Sequence, residues 1–400
     1  MGVPYNQQMT IEGGRVAQPD TSDARIDIRS CLLAWYDRNR RSLPWRRTRD
    51  PYAIWVSEIM LQQTRVVTVV DRFQDFLRNF PTVSALANGS EQDVLALWSG
   101  LGYYRRARML HHAAKVVVKE YGGVMPGTAA ALRGLPGIGA YTSAAVASIA
   151  FGEKVAVVDG NVERVVQRLE GWGSESGAGQ TELAREIAKR ADSLLDPNRP
   201  GDFNQAMMEL GATLCLPKKP LCLTCPLRDY CLTRGEHPTP QRAAMRSQDA
   251  AYGLLVRSRG KHREVLLQQR PAELTVMPGM WELPPLRSVE VPGEHLRLAV
   301  RHAIMQVNYY VRVRTVYEDD VELLTMPSET RRWVSLHQLG GIALTGLARK
   351  VLLRSGLPEL MQLPAVPESS AKGTAPAAVL TSSKAKSRNG PTKMASRRGQ

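Results

Sequence analysis

The sequence predicts a mainly α-helical region followed by a smaller α+β region. Three observations carry this. From Ile26 to about Leu232, apolar residues recur every three or four positions, with Gly and Pro as punctuation. From about Ala251 the period drops to two, in short runs that end in one helical pattern. And 400 residues are more than one hydrophobic core usually serves.

The helical elements follow in order. "IRSCLLAWYDRN", "VVTVVDRFQDFLRNF", "EQDVLALWSG" and "AREIAKRADSLL" each carry an apolar stripe, and Ser90, after Asn88 and Gly89, is the expected cap of the third. In the second region "AYGLLVRS", "REVLLQQR", "HLRLAVRHAI" and "NYYVRVRTVY" read as strands, "SRGK" as a hairpin turn, and "LTGLARKVLLRSG" as a helix. The expected boundaries are a disordered tail 1–24, a helical domain 25–232, a proline-containing linker 233–250, a second domain 251–357 and a disordered tail 358–400. After Val366 that tail has seven basic residues against one acid, Glu368, a composition that attracts nucleic acid.

Charge narrows the function. Lys and Arg number 53 against 38 Asp and Glu, a formal charge of +15, which favours a polyanionic partner such as nucleic acid. The N-terminal "MGVPYNQQMTIEGG" lacks a signal-peptide pattern. The most apolar run, "TSAAVASIAFGEKVAVV", is broken by Gly152, Glu153 and Lys154 and is too short to span a bilayer. The expectation is a cytoplasmic protein, at the nucleoid if bacterial, that makes no use of a membrane.

Four of the five cysteines, Cys215, Cys222, Cys225 and Cys231, crowd into one loop, spaced C-x6-C-x2-C-x5-C. In a reducing compartment such spacing ligates tetrahedral zinc or an iron–sulfur cluster, and spacing alone does not choose between them. Cys31 sits on an amphipathic pattern and reads as a core thiol.

"LPGIGAYTSAAVASIAFG" (Leu135–Gly152) frames a tight turn with Gly137 and Gly139, whose exposed N–H groups and following helix N-terminus can hold a phosphate. It resembles the helix-hairpin-helix of base-excision DNA glycosylases, and "VVDGNVERVVQRL" follows at the family's distance. That resemblance makes Asp159 a catalytic acid; read alone, Asp159 or Asn161 is a helix cap. "PYAIWVSEIMLQQTRV" (Pro51–Val66) resembles the signature of MutY-type adenine DNA glycosylases, with Glu58 as the catalytic acid. "LPWR", "GLGYYRRAR" and "FNQAMMELGATLC" match the family in order and spacing, so the likeness covers nearly all of residues 25–232. It implies a two-lobed helix-hairpin-helix glycosylase domain acting on double-stranded DNA with an adenine mismatch, as a monomer. It also implies one [4Fe–4S] cluster on the four cysteines.

The implied chemistry uses two carboxyl groups, as in glycoside hydrolysis. Glu58, among Ile54, Trp55, Ile59, Met60 and Leu61, is expected to be held protonated and to protonate the departing adenine. Asp159, at a helix N-terminus, is expected to stabilise positive charge on the sugar. Asn161 and Tyr141 complete the catalytic set. In strand-cutting relatives a lysine nucleophile stands where Tyr141 is, so base removal without strand cleavage is implied. By resemblance Trp45, Arg46, Leu61 and Gln205 line the adenine pocket. Gln63, Thr64 and Tyr103 probe the duplex, while Gly137, Gly139, Lys218, Lys219 and Arg228 meet its phosphates.

"LLQQRPAELTVMPGMWELPPL" and "RRWVSLHQL" resemble the Nudix-like C-terminal domain of MutY enzymes. No glutamate-rich R-x-x-E-E box is present, so pyrophosphatase activity is not expected. The family's Phe-Ser-His element for 8-oxoguanine falls on Ile304, Met305 and Gln306, without its serine and histidine. The alternative function is a thymine or uracil mismatch glycosylase of the same superfamily.

Overall fold

In the computed structural model the described residues are 22–172, 180–236, 244–260, 262–325 and 328–357. The expected tails up to residue 21 and from 358 onward lie outside them, as do residues 237–243 of the expected linker. The chain opens with α1 (Ser22–Asn39), which begins inside the stretch 1–24 expected to be tail. Asp50 and Pro51 then start α2 (Pro51–Leu61). The Asp50 carboxylate accepts from the N–H groups of Tyr52 and Ala53, and proline at the first helical position loses no bond. α3 (Val66–Asn79), α4 (Val83–Asn88) and α5 (Glu91–Leu97) follow, with Ser90 capping α5 as expected. Next come α6 (Arg105–Tyr121), α7 (Ala129–Arg133) and α8 (Ala140–Phe151). α9 (Gly160–Leu169), α10 (Gln180–Leu194) and α11 (Pro200–Thr213) complete the helical region.

These helices gather around two separate cores. Trp55, Trp98, Phe76 and Leu110 anchor the first, built from α2 to α8. Tyr36, Leu32, Val166 and Phe203 anchor the second, where α1 folds back onto α9, α10 and α11. Tyr52 through Met60 are buried in unbroken succession. An all-round buried helix of this kind is a core spine, not a surface element.

The two lobes meet where α11 crosses α8. A Cβ on Gly201 would lie 2.6 Å from the Ser148 carbonyl oxygen and 2.7 Å from Ile149 Cα, so the crossing is backbone on backbone. Asn204, one turn on, completes the joint. Its Nδ2 donates to Ser148 Oγ and the Val155 carbonyl, both at 2.9 Å, and its Oδ1 accepts from the Val157 N–H at 3.0 Å.

The strand-rich region holds β1 (Arg246–Leu254), β2 (Val256–Arg259), β3 (His262–Gln269), β4 (Trp281–Glu282), β5 (Leu296–Ile304), β6 (Val307–Thr315) and β7 (Arg331–Ser335), closed by α12 (Gly346–Arg354). Two readings are corrected. β1 starts at Arg246, inside the stretch expected to be linker, because parallel pairing with β6 from Val307 onward satisfies its backbone. "AYGLLVRS" is not one strand: the chain breaks at buried Leu255 and passes from the β1-β6-β5 sheet to the sheet formed by β2, β3, β4 and β7.

This region rests on the first lobe. The Tyr104 hydroxyl donates to the Leu344 carbonyl at 3.0 Å, Arg108 to the Pro278 carbonyl at 2.6 Å and Arg349 to Ser99 Oγ at 2.5 Å. Met280 and Ala343 enter the first core. No helix among the described residues is long and apolar enough to cross a membrane.

Gly201→Ala forces α8 and α11 apart and is expected to cost about 1–3 kcal/mol. Urea denaturation checks this, and an unchanged midpoint would show that the crossing has slack.

Candidate active site and cysteine loop

Glu58 lies on the buried spine α2 and is 5% exposed. The Tyr141 hydroxyl, from α8, donates to its Oε2 at 2.5 Å and also approaches Met208 Sδ of α11 at 3.6 Å. Burial pushes the Glu58 carboxyl up to about 7; the Tyr141 bond and the Arg46 charge oppose this and the Asp159 charge adds to it. Burial, together with neighbouring Glu58, also holds the Tyr141 phenol well above its ordinary value.

Asp159 is the N-cap of α9. Its Oδ1 accepts from the N–H groups of Asn161 and Val162 at 2.9 and 2.8 Å, and its Oδ2 accepts from Asn161 Nδ2 at 2.9 Å. The helix-cap reading and the catalytic reading of Asp159 are thus compatible: capping aims the carboxylate. The Asn204 joint holds residues 155–157 against α8, which brings Asp159 within electrostatic reach of Glu58 and Tyr141.

The other expected site residues divide. Trp45 is buried in the first core, edge-on to Phe73 at 5.5 Å. The Arg46 guanidinium donates to Glu209 at 2.8 Å and to the Arg41 carbonyl at 3.2 Å. Burial alone would raise the Glu209 carboxyl, but bonds from Arg41 and Arg46 hold it down at about 2. Leu61 ends α2 against the first core, and Gln205 is half-buried on α11 one turn before Met208. Gln63 and Tyr103 stand exposed while Tyr104 is buried, so the tyrosine pair splits between surface and core. Thr64 is half-buried in the turn after α2, where its Oγ1 meets the Gln62 carbonyl at 3.2 Å.

In the hairpin between α7 and α8, Gly137 has φ +75°, and a Cβ there would lie 2.7 Å from Met109 Cβ. Gly139 caps α8 without a side-chain bond, which leaves that helix's first N–H groups available to an anion. Lys218, Lys219 and Arg228 are exposed.

The cysteine loop is tied to α9 by two arginines. Arg168, 3% exposed, donates to the carbonyls of Leu216 and Pro217 at 2.7 and 3.0 Å and to Cys215 Sγ at 3.3 Å. The Cys231 thiol donates back to the Arg168 carbonyl at 3.2 Å. Arg164 donates to the Cys215 carbonyl at 2.8 Å, the Gly211 carbonyl at 2.8 Å and Asn161 Oδ1 at 2.9 Å. A continuous chain of bonds therefore runs from Asp159 through Asn161 and Arg164 to Cys215. Gly211 permits it, since a Cβ there would meet Asn161 Cβ at 2.6 Å.

Burial raises the thiols of Cys222 and Cys225, the latter to about 11; Cys215 and Cys231 act on both in the same direction. Among the described residues no three Cys, His, Asp or Glu side chains close around a single metal ion. Four thiols within electrostatic range, with Cys215 and Cys231 both bonded to Arg168, form a thiol donor set that suits an iron–sulfur group.

Residues 56–190 match the HhH-GPD superfamily of base excision DNA repair proteins, and residues 215–231 the iron-sulfur binding domain of endonuclease III. The chain is 40% identical over 260 residues to the adenine DNA glycosylase of Mycobacterium tuberculosis (strain ATCC 25618 / H37Rv), covering 65% of this chain and 84% of that protein. The chain belongs to the adenine DNA glycosylase family. With the human adenine DNA glycosylase it shares 49% identity over 216 residues, 52% of this chain but 39% of that protein. The match to the Arabidopsis thaliana adenine DNA glycosylase, 38% identical, spans 68% of this chain and 49% of that one. Among solved structures, a thermostable thymine-DNA glycosylase is 32% identical with a TM-score of 0.49, covering 53% of this chain and 97% of that one.

For this family member the cysteine loop carries an iron–sulfur binding motif, and the superfamily match contains Glu58, Tyr141 and Asp159. Arg164, Arg168, Asn204, Glu209 and Gly211 escaped the sequence reading. All lie inside motifs quoted for other residues, but only their tertiary partners mark them.

A carboxyl whose folded-state value is raised to about 7 binds its proton more tightly folded than unfolded. Its contribution is fully present below the unfolded value and is lost as pH rises through 7. Glu58→Gln is therefore expected to be more stable than the parent at pH 8, by about 3 kcal/mol, with the gap closing toward pH 4.5. Chemical denaturation at the two pH values reads the difference.

Proposed function

We propose that the protein is a monofunctional adenine DNA glycosylase, hydrolysing the N-glycosidic bond of adenine mispaired with 8-oxoguanine or guanine in double-stranded DNA. The observation that carries this reading is a buried, tyrosine-bonded carboxyl held near neutrality beside a second carboxylate fixed at a helix N-terminus.

The chemistry follows from that pair. Adenine leaves poorly, so the proton on Glu58 goes to a ring nitrogen as the bond to C1′ breaks, and the bonding electrons depart with the base. Positive charge develops on the sugar, and the capped Asp159 carboxylate stabilises it. Water then adds to C1′ and gives its proton to Glu58, restoring the acid. The Tyr141 hydroxyl orients the Glu58 carboxyl. Having no amine, Tyr141 forms no Schiff base with the sugar, which supports base release without strand cleavage. Asn161 holds Asp159 from the far side.

Base release needs the target extruded from the stack. Trp45, Arg46, Leu61 and Gln205 are assigned to the pocket, with Trp45 and Arg46 shaping its wall from the core, and Gln63, Thr64 and Tyr103 to the opposite face of the duplex. The Gly137–Gly139 turn, Lys218, Lys219 and Arg228 are assigned to phosphates. A [4Fe–4S] cluster on Cys215, Cys222, Cys225 and Cys231 would fold the basic loop; when bound it supplies no group to the reaction. The strand-rich region is assigned as a Nudix-like domain that reads the base opposite adenine. There Met305 and Gln306 form a two-residue hairpin tip, with Met305 72% exposed. The protein is assigned as a monomer.

Single-turnover assays on duplexes carrying each mismatch test the reading. Adenine release is expected opposite 8-oxoguanine and guanine, falling as pH rises through 7, and about 10²–10⁴-fold slower in Glu58→Gln. Release of thymine or uracil in place of adenine would overturn it, and equal rates opposite the two guanines would mean that the lesion is not read.

With borohydride present, no protein–DNA adduct is expected, and the product strand should break only after alkali. Nicking without alkali would show that an amine attacks the sugar.

A further inference from the structure

Arg106, in the first turn of α6, sends six hydrogen bonds to two chain segments. Nη1 donates to the carbonyls of Ile59, Met60 and Gln62 at 2.6, 3.2 and 2.6 Å. Nη2 donates to Thr64 Oγ1 at 3.2 Å and to the carbonyls of Leu101 and Gly102 at 3.3 and 3.2 Å. The guanidinium also stands 5.6 Å from the Trp98 ring centroid and 5.5 Å from that of Tyr103. None of the six acceptors is a carboxylate. The cation is held by the carbonyls at the C-terminal end of α2, where the helix dipole favours positive charge, and by aromatic faces. Burial lowers its pKa to about 10.

The two segments share a further property. Each carries a non-glycine residue in the left-handed region, Gln63 at φ +54° and Tyr103 at φ +48°, and both side chains are exposed. Such conformations are uncommon outside glycine and persist only where the surroundings over-determine them. Here the over-determining group is one guanidinium reaching both segments. Trp98 assists, its Nε1 donating to the Gly102 carbonyl at 3.2 Å.

We infer that Arg106 is a positioning residue that clamps the end of α2 to the loop ahead of α6, so that Gln63 and Tyr103 stand out together at a set separation to probe the duplex. It touches neither base nor sugar. The inference rests on the glycosylase reading above and adds the side chain that sets the geometry of the probing pair. A planar fork is required, because the acceptors lie in two directions; a lysine ammonium reaches one group of them at a time.

The test is a double-mutant cycle on the cluster-loaded protein with Arg106→Lys and Tyr103→Ala. Arg106→Lys is expected to slow single-turnover adenine release by about tenfold or more. Affinity for an undamaged duplex should change by less than about twofold, because phosphate contacts lie elsewhere. In the Tyr103→Ala background the same lysine should add less than about twofold, since its partner is gone. Full multiplication of the two effects would overturn the clamp, as would a loss of undamaged-duplex affinity that matches the loss of rate. Glu58→Gln run alongside separates the two claims. Absence of adenine release by the parent sinks the glycosylase reading, and normal release by Glu58→Gln sinks the assignment of Glu58 as the acid; an inert Glu58→Gln with multiplicative Arg106 and Tyr103 effects sinks this inference alone. Hydrogen exchange on the unmodified protein covers the case where Arg106→Lys does not fold. Residues 62–64 and 101–103 should open as one unit, and independent opening would overturn the clamp.

Discussion

One constraint organises the helical region: a carboxyl group has been taken out of water on a helix that is buried on every side. Glu58 sits in an unbroken run of buried residues, and among the described residues its carboxyl accepts from Tyr141 on a different helix. Burial makes that carboxyl retain its proton toward neutral pH, against the opposing Tyr141 bond. Stability is given up to place it there, and the rest of the lobe junction keeps the arrangement from relaxing. The crossing of α8 and α11 at Gly201, the Asn204 joint and the capped start of α9 all hold Tyr141 and Asp159 in fixed relation to that group.

Arginine is the second theme. Arg46 and Arg41 neutralise buried Glu209 between the lobes, Arg106 gathers two loops, Arg164 and Arg168 bind the cysteine loop to α9, and Arg349 joins the strand-rich region to the helical one. Most of these bonds go to backbone carbonyls at helix ends and in loops, groups that have no partner within their own element. A planar fork satisfies several at once. Part of the chain's positive charge thus serves the interior: Arg106, Arg164, Arg168 and Arg349 are buried or half-buried, yet all four count toward the formal charge of +15.

The strand-rich region contributes to the first lobe instead of standing apart from it. Met280 and Ala343 enter the helical core, and Tyr104, a neighbour of exposed Tyr103, is anchored by the Leu344 carbonyl. Exposed Tyr103 and the strand-rich region therefore draw their supports from the same turn of α6, Arg106 serving the first and Tyr104 and Arg108 the second. The Met305–Gln306 tip of the β5–β6 hairpin presents an exposed thioether beside an exposed amide.

The order of regions, the switch in period, the Ser90 cap, the hairpin glycines and the positions of Glu58, Asp159 and the four cysteines were legible in the sequence, because each depends on a local pattern a few residues long. Periodicity and capping are properties of neighbours in the chain. The start of β1 was misjudged because its partner, β6, lies some sixty residues away and pairs with it in parallel. The functions of Arg106, Arg164 and Glu209 were not legible either, though all three stand inside recognisable motifs. Their meaning lies in which carbonyl, carboxylate or ring the fold brings within three ångströms, and a single sequence does not encode that distance in any short pattern. Residue types, local geometry and the apolar neighbours that favour a protonated Glu58 came from the chain alone; the Tyr141 bond to that carboxyl and the approach of Asp159 were decided only by tertiary packing, which joins residues about eighty and one hundred positions apart.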